Sequence, residues 1–292
     1  GIRVLDFSWA AAGPYATLLL GFMGAEVVKV ESRQRPDLSR RGFYRPAPLD
    51  ASAEFHDLNL NKRSIGLNLS HPEGIALVKR LVPHCDVVVE NFRPGVMPRL
   101  GLGYETLQAI NPRVIMASAS ANGSTGPESA YAGYAGVFNA LSGLGHLTGY
   151  ADGPPTELRI SMDLRVGMTL AFSILAALFA RRHSGQGQVI DLSAREAISC
   201  LIGHTFLHYT MNGASPQRQG NDDAPYAPHG CYRCAGVDRW VSIATPTEEA
   251  WQALCRVMGH PEWQAEARFG DAANRVRHRQ ELDGLITAWT QG

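Results

Sequence analysis

The sequence predicts an α/β protein: a Rossmann-like large domain on a parallel sheet, followed by a smaller α+β domain. Three observations carry this. Short β-branched runs alternate with helically spaced apolar residues through the first third of the chain. A further strand and helix follow a long apolar helix near residue 180, extending the same pattern. The last eighty or so residues change character, to a hairpin followed by amphipathic helices.

The elements follow in order. "RVLDF" (3–7), "AEVVKVE" (25–31), "SIGLNL" (64–69), "DVVVE" (86–90) and "RVIMASAS" (113–120) are strands, and "YATLLLGFMG", "PEGIALVKRLVPH" and "YETLQAI" are helices between them. Residues 121–162 are rich in Gly, Ser, Ala and Pro without periodicity, and form a long irregular segment of the kind that carries function. A helix over 164–182 comes next, then a turn, strand and helix in "SGQGQVIDLSAREAISCLI". Residues 212–230 are loop, and "HGCYRCAGVDRWVSIA", "EEAWQALCRVMG" and "RQELDGLITAWT" supply the hairpin and helices of the small unit. The boundary falls at 212, giving domains 1–212 and 213–292 with no internal repeat.

Composition narrows the function classes. The 27 basic residues balance 27 acidic ones, so no global field draws the chain to nucleic acid or an anionic membrane. "LAFSILAALFA" is too short to span a bilayer and is closed by Arg181 and Arg182, so it reads as a buried helix. Five cysteines without framework spacing point to a reducing, cytoplasmic setting. Cys231 and Cys234 in "CYRC" have metal or redox spacing but lack a second pair or matching histidines. They read as two ordinary cysteines on a hairpin, and no metal site is expected.

Ligands on a parallel sheet gather at the carboxyl ends of the strands. There the sequence places "AAAGP" (10–14), "ESRQRPDLSRRGFYR" with Arg33, Arg35, Arg40, Arg41 and Arg45, "NLNKRS" before the third strand, and "ENFRPG" after the fourth. Such a basic cluster in a neutral protein suits a phosphate-bearing ligand. The plain alternative is a solvated loop beside an ordinary Gly-Pro turn. Neither GxGxxG nor GxxxxGK[ST] occurs, so side chains would hold the phosphates. Asp163 stands alone just before the apolar helix. One reading makes it an N-cap that accepts bonds from the first-turn amides. The other makes it a reactive carboxylate, ionised and served by the same amides as an oxyanion site.

Taken together, "VLDFSWAAAGPYATLLLGFMGAEVVKVE", "NLNKRSIGLNL", "DVVVENFRPGVMPRLGLGYETL", "INPRVIMASAS", "GYAGVFNALSGLGHLTG", "RRHSGQGQVIDLSAREA" and "APHGCYRCAGVDRWVSIATPTEEAWQALC" resemble the class III CoA-transferases, a superfamily shared with α-methylacyl-CoA racemase. The motifs run in family order over nearly the whole chain. The resemblance implies CoA transfer from an acyl-CoA to a small carboxylic acid, with CoA as substrate and no tightly bound cofactor. It gives Asp163 the role of nucleophile, through an aspartyl anhydride and an aspartyl-CoA thioester, and capping and catalysis are then compatible. Asn91, Phe92, Arg93 and Arg99 match the CoA-contacting segment, Leu67 and Ser70 the stretch near the adenosine, and Ala11, Ala12, Arg33 and Tyr134 join them as positions expected to bind CoA. Ala11 replaces a glutamine of the formyl-CoA transferases, Ser70 a lysine of some members, and Ser32 an arginine for which Arg33 compensates.

The racemases carry a histidine in "GHD" where this chain has "GYA", with Tyr134. A tyrosine with its usual pKa of about 10 is a poor base at neutral pH, so transferase is favoured over racemase. A racemase-like isomerase and a non-catalytic acyl-CoA binder remain the alternatives. The family fold is an interlocked homodimer in which a C-terminal segment returns to the large domain. The chain runs from Gly1 on a strand to Gly292 in a helical pattern, so that segment is expected to be absent.

Overall fold

The computed structural model describes residues 1–42, 46 and 48–292; Arg45 of the basic cluster lies outside the described residues. Six parallel strands, β1 (Arg3–Asp6), β2 (Glu26–Glu31), β3 (Lys62–Gly66), β4 (Val87–Glu90), β5 (Ile115–Ser120) and β6 (Val189–Ser193), form one sheet. Their spatial order is β3-β2-β1-β4-β5-β6. The order reverses between β1 and β4, so the loops leaving these strands part and open a crevice at their carboxyl ends.

Each face of the sheet has its own core, because successive side chains of a strand point to opposite faces. Val4, Val87, Val89, Ile115 and Ala117 pack against Ala16 and Leu20 of the Ala12–Phe22 helix and Leu170, Ile174 and Ala177 of the Arg159–Ser184 helix. On the other face Leu5, Val88 and Met116 meet Val78 of the Pro72–Leu81 helix and Leu107 of the Tyr104–Ile110 helix.

Two differences from the sequence reading matter for the site. The third strand begins at Lys62, two residues early, because Lys62 and Arg63 pair with Val27 and Val28 of β2; the Lys62 ammonium reaches Asp6. The long helix is 26 residues, Arg159–Ser184, and starts a turn before Asp163. Its buried stripe already begins at Met162 and continues through Val166, Leu170, Ile174 and Ala177, and Met162 can join that stripe only as part of the helix. By length and hydropathy this helix could cross a membrane, but one side of it lines the core of the sheet. Residues 121–162 also hold two short helices, Ala135–Leu141 and Leu144–Leu147.

The chain divides into two compact units, Gly1–Gly145 with Thr156–Pro216, and His146–Pro155 with Gln217–Gly292. A small excursion ahead of the 212 boundary thus joins the second unit. That unit carries the antiparallel hairpin β7 (His229–Arg233) and β8 (Trp240–Ala244), with Tyr232, Trp251, Phe269, Leu282 and Ile286 in its core. Arg275 is buried there, donating to the carbonyls of Ala227 and Phe269 and paired with Glu248 at 2.6 Å. Cys231 and Cys234 are free thiols on the hairpin, and no cluster suited to a metal occurs among the described residues.

Candidate active site

The crevice at the switch point rests on a buried ionic cluster. Asp6, the last residue of β1, accepts hydrogen bonds from Ser8 N at 2.9 Å, the Ser8 hydroxyl, Thr17 Oγ1 at 2.6 Å and Lys62 Nζ at 3.2 Å. Burial alone would raise its pKa, but Lys62, Lys29 and the two hydroxyls hold the carboxyl below its ordinary value. Lys29 donates to the Ser8 carbonyl at 2.6 Å and pairs with Asp37 at 3.2 Å. Asp37 in turn accepts from Ala10 N at 3.0 Å.

Asn91, after β4, completes the clamp. Its amide receives Trp9 N and donates to Trp9 O, both at 2.8 Å. Ser8, Trp9 and Ala10 of the β1 exit loop are therefore held by side chains of Lys29 on β2, Asn91 after β4 and Asp37 after β2. This lets Ala10 persist at φ 62°, a conformation costly for a residue with a Cβ. Gly13 follows because a Cβ there would lie 2.3 Å from the Ser8 Cβ.

Two open spaces meet over this loop. A groove of about 720 Å³ is lined by Ser32, Arg35, Leu67, Ser70, Arg99 and their neighbours at the ends of β2, β3 and β4. A smaller cavity of about 210 Å³ is lined by Ala11, Ala12, Asn91, Tyr131, Asp163 and Ala194, among others. Trp9, Phe92, Arg93 and Tyr134 line both. The structure thus gathers the predicted residues Ala11, Ala12, Leu67, Ser70, Asn91, Phe92, Arg93, Arg99, Tyr134 and Asp163 around one continuous depression.

Some placements differ from the sequence reading. Arg33 is exposed and lines neither space, whereas Arg35 does and lies over the Trp9 ring at 5.5 Å. The Asn91 amide is engaged by Trp9, which leaves it a scaffolding rather than a free recognition group. Arg40 is tied to Glu31 at 2.7 Å and to Asp50, and Lys62 to Asp6. The basic cluster divides accordingly. Arg35, Arg93 and Arg99 have no acidic partner among the described residues and face the groove, free to meet an anion.

Asp163 is not an N-cap. The cap position is Leu158, which has no side-chain cap bond, and Asp163 sits in the second turn with its own amide inside the helix. Its carboxylate has no hydrogen-bond or ion-pair partner among the described residues, and the first-turn amides do not serve it. Burial pushes its pKa up from the ordinary carboxylate range to about 7. Gly167, one turn further, explains how the acid reaches the cavity. A Cβ there would stand 2.5 Å from the Ala12 carbonyl, so glycine lets the long helix close on the start of the Ala12–Phe22 helix that follows the β1 exit loop. The Gly167 spacing, i+4 from Asp163, was available in the sequence but carries no meaning without knowing which helix it faces.

A partly buried, unpartnered carboxylate in a cavity that adjoins a groove lined by free arginines is the arrangement of an α/β enzyme site suited to an anionic substrate. Comparison makes this specific: the chain belongs to CoA-transferase family III, whose family model matches residues 1–292. It is 39% identical over 290 residues to the succinyl-CoA–D-citramalate CoA-transferase of Chloroflexus aurantiacus, covering 99% of this chain and 72% of that protein. It is 33% identical to the succinyl-CoA:glutarate CoA-transferase of Mus musculus, covering 99% of this chain and 66% of that protein. A CaiB/BaiF family protein from Brucella suis superposes with a TM-score of 0.91 at 33% identity, over 100% of this chain and 78% of that structure. The chain is an enzyme acting on CoA thioesters.

Proposed function

We propose that this enzyme moves CoA from a dicarboxylic acyl-CoA of the succinyl type to a small dicarboxylic acid, with Asp163 as covalent nucleophile. The observation that carries the reading is the unpartnered Asp163 carboxylate at the end of the groove. The substrate class is supported by the two curated relatives, which are named for succinyl-CoA with citramalate or glutarate.

The chemistry runs as four exchanges. An Asp163 oxygen attacks the thioester carbonyl, expelling CoA thiolate and forming a mixed anhydride. The thiolate attacks the aspartyl carbonyl, giving an aspartyl-CoA thioester and releasing the first acid as a carboxylate. The incoming carboxylate attacks the same carbonyl, and thiolate leaves again. The thiolate then attacks the acyl carbonyl of the new anhydride, which delivers the new acyl-CoA and restores Asp163. Each intermediate is an activated acyl group, so no nucleotide hydrolysis is required.

Desolvation is what fits Asp163 to this task. An oxygen partly shielded from water and without hydrogen-bond donors is a stronger nucleophile than an ordinary carboxylate, at the cost of being half protonated near pH 7. Arg35 and Arg99 meet the CoA phosphates, and the acyl-bearing arm passes Trp9, Phe92 and Tyr134 to the acid. The protein works as a homodimer in this reading. Met168, Phe172, Leu175 and Phe179 form an exposed apolar stripe on the long helix that a second copy would cover. A one-chain mass by light scattering would remove that part.

The test of the reaction is a transfer screen. Succinyl-CoA is offered with a panel of small mono- and dicarboxylic acids, and new CoA esters are read by mass spectrometry. Esters of one or more dicarboxylic acids are expected; a panel with no CoA ester formed would overturn the reading.

A further inference from the structure

Asp163 faces two spaces, and the second is unused by the groove. This lobe, about 350 Å³, is lined by Ala10, Ala11, Tyr134, Glu157, Arg159 and Asp163 with a few neighbours. Arg159 is the one cation among the described residues that line it. It stands four residues before Asp163 on the same helix, so the two side chains leave one face with Cβ atoms about 5–6 Å apart. A short diacid lying in the lobe would then have one end at Asp163 and the other at the guanidinium, since both residues line it.

The state of Arg159 suits an incoming anion. Its contact is a single ion pair, Nε to Glu157 Oε2 at 3.4 Å, with both side chains more than half exposed. The terminal nitrogens have no partner among the described residues. Glu157 is positioned by Gly136, where a Cβ would stand 2.7 Å from its Oε1. The first turn of the helix also lacks a side-chain cap, so its amide N–H groups are not satisfied by a capping side chain.

We propose that Arg159 is the specificity-determining residue that binds the second carboxylate of the dicarboxylic substrate while the first reacts at Asp163. This rests on the nucleophile reading of Asp163. A carboxylate takes the guanidinium fork bidentately, whereas a methyl in the same place leaves the fork with Glu157 alone. Selection for diacids then arises one helical turn from the bond being made.

The first half-reaction tests this without an acceptor. Wild type, Arg159→Gln and Arg159→Lys are mixed with succinyl-CoA or butyryl-CoA in the presence of hydroxylamine, and the hydroxamate on the Asp163 peptide is timed by mass spectrometry. Butyryl-CoA differs only in a methyl for the distal carboxylate. The succinyl-over-butyryl rate ratio is expected to fall about 30- to 100-fold in Arg159→Gln, and to recover partly in Arg159→Lys. A ratio unchanged in Arg159→Gln overturns the proposal. A butyryl adduct on the Gln variant shows that Asp163 chemistry survives independently. No adduct with either donor in wild type refutes the Asp163 reading, and this proposal with it.

Discussion

Asp6 and Asp163 are aspartates of the same unit, one fully and one partly buried, and they have opposite surroundings. Asp6 is fully buried and accepts four hydrogen bonds, two lysines lie beside it, and its carboxyl is held below the ordinary range. Asp163 has no partner among the described residues and is pushed up to about 7. A buried charge that is satisfied serves the fold; one left unsatisfied is a cost the fold bears elsewhere. The Asp6 cluster sets the backbone of Ser8 and, through Lys29 and Asp37, of Ala10, and Ala10 and Ala11 of that loop line the same cavity as Asp163. The stable acid builds the site of the reactive one.

The comparison breaks most visibly at Asp163. Asp163→Asn is isosteric, loses no hydrogen bond recorded in the structure, and should leave CoA binding and folding in place. An amide cannot attack a thioester, so transfer is expected to fall at least about a thousandfold. Steady-state transfer together with calorimetric CoA binding checks both halves. Retained transfer would make Asp163 no different in kind from Asp6.

At Asp6 the damage should appear in stability instead. Lys62 is 2% exposed at its side chain, and Lys62→Met leaves the Asp6 carboxylate short of a counter-charge. A loss of about 3–5 kcal/mol is expected in urea unfolding at pH 7. A change below about 1 kcal/mol would show that Lys29 and the hydroxyls suffice.

How much of this contrast could be read from the chain depends on the kind of fact involved. The strands and their parallel pairing were legible because β-branched runs and helical spacing are local signals. The set of residues around the depression was legible through motif order. Long-range pairing was not. Nothing local says that Lys62 points in to Asp6 while Arg99 points out, or that the Asn91 amide is taken by Trp9. The start of the long helix is not legible locally, because Leu158 offers no capping side chain and the nearest acid, Asp163, lies a turn inside the helix. The buried spacing Met162–Val166–Leu170 is what reveals it.

The smallest effect is the sign of pH dependence. Asp163 has a folded pKa of about 7, above the ordinary 3.8, so folding favours its protonated form. Its contribution to stability is full below about pH 4 and declines as pH rises to 7. Asp163→Asn should therefore be more stable than wild type above pH 7, by about 1–2 kcal/mol after allowance for partial exposure, and equal to it near pH 4. Asp6 runs the other way, since its stabilisation is present above the ordinary carboxylate range and is lost on acidification. Paired unfolding curves at pH 5 and 8 measure the difference. A variant less stable than wild type at pH 8 would mean that Asp163 has a partner after all.

The central claim, that Asp163 is joined covalently to the acyl group, is tested most directly by following oxygen. If the incoming acid attacks an aspartyl-CoA thioester, one of its carboxyl oxygens becomes the bridging atom of the anhydride. That atom stays on Asp163 when thiolate removes the acyl group. Turnover with succinyl-CoA and an acceptor labelled with oxygen-18 in its carboxylate should therefore place the label in the peptide containing Asp163, and none there when acyl-CoA is omitted. Transfer that proceeds with no oxygen-18 entering that peptide would contradict the account.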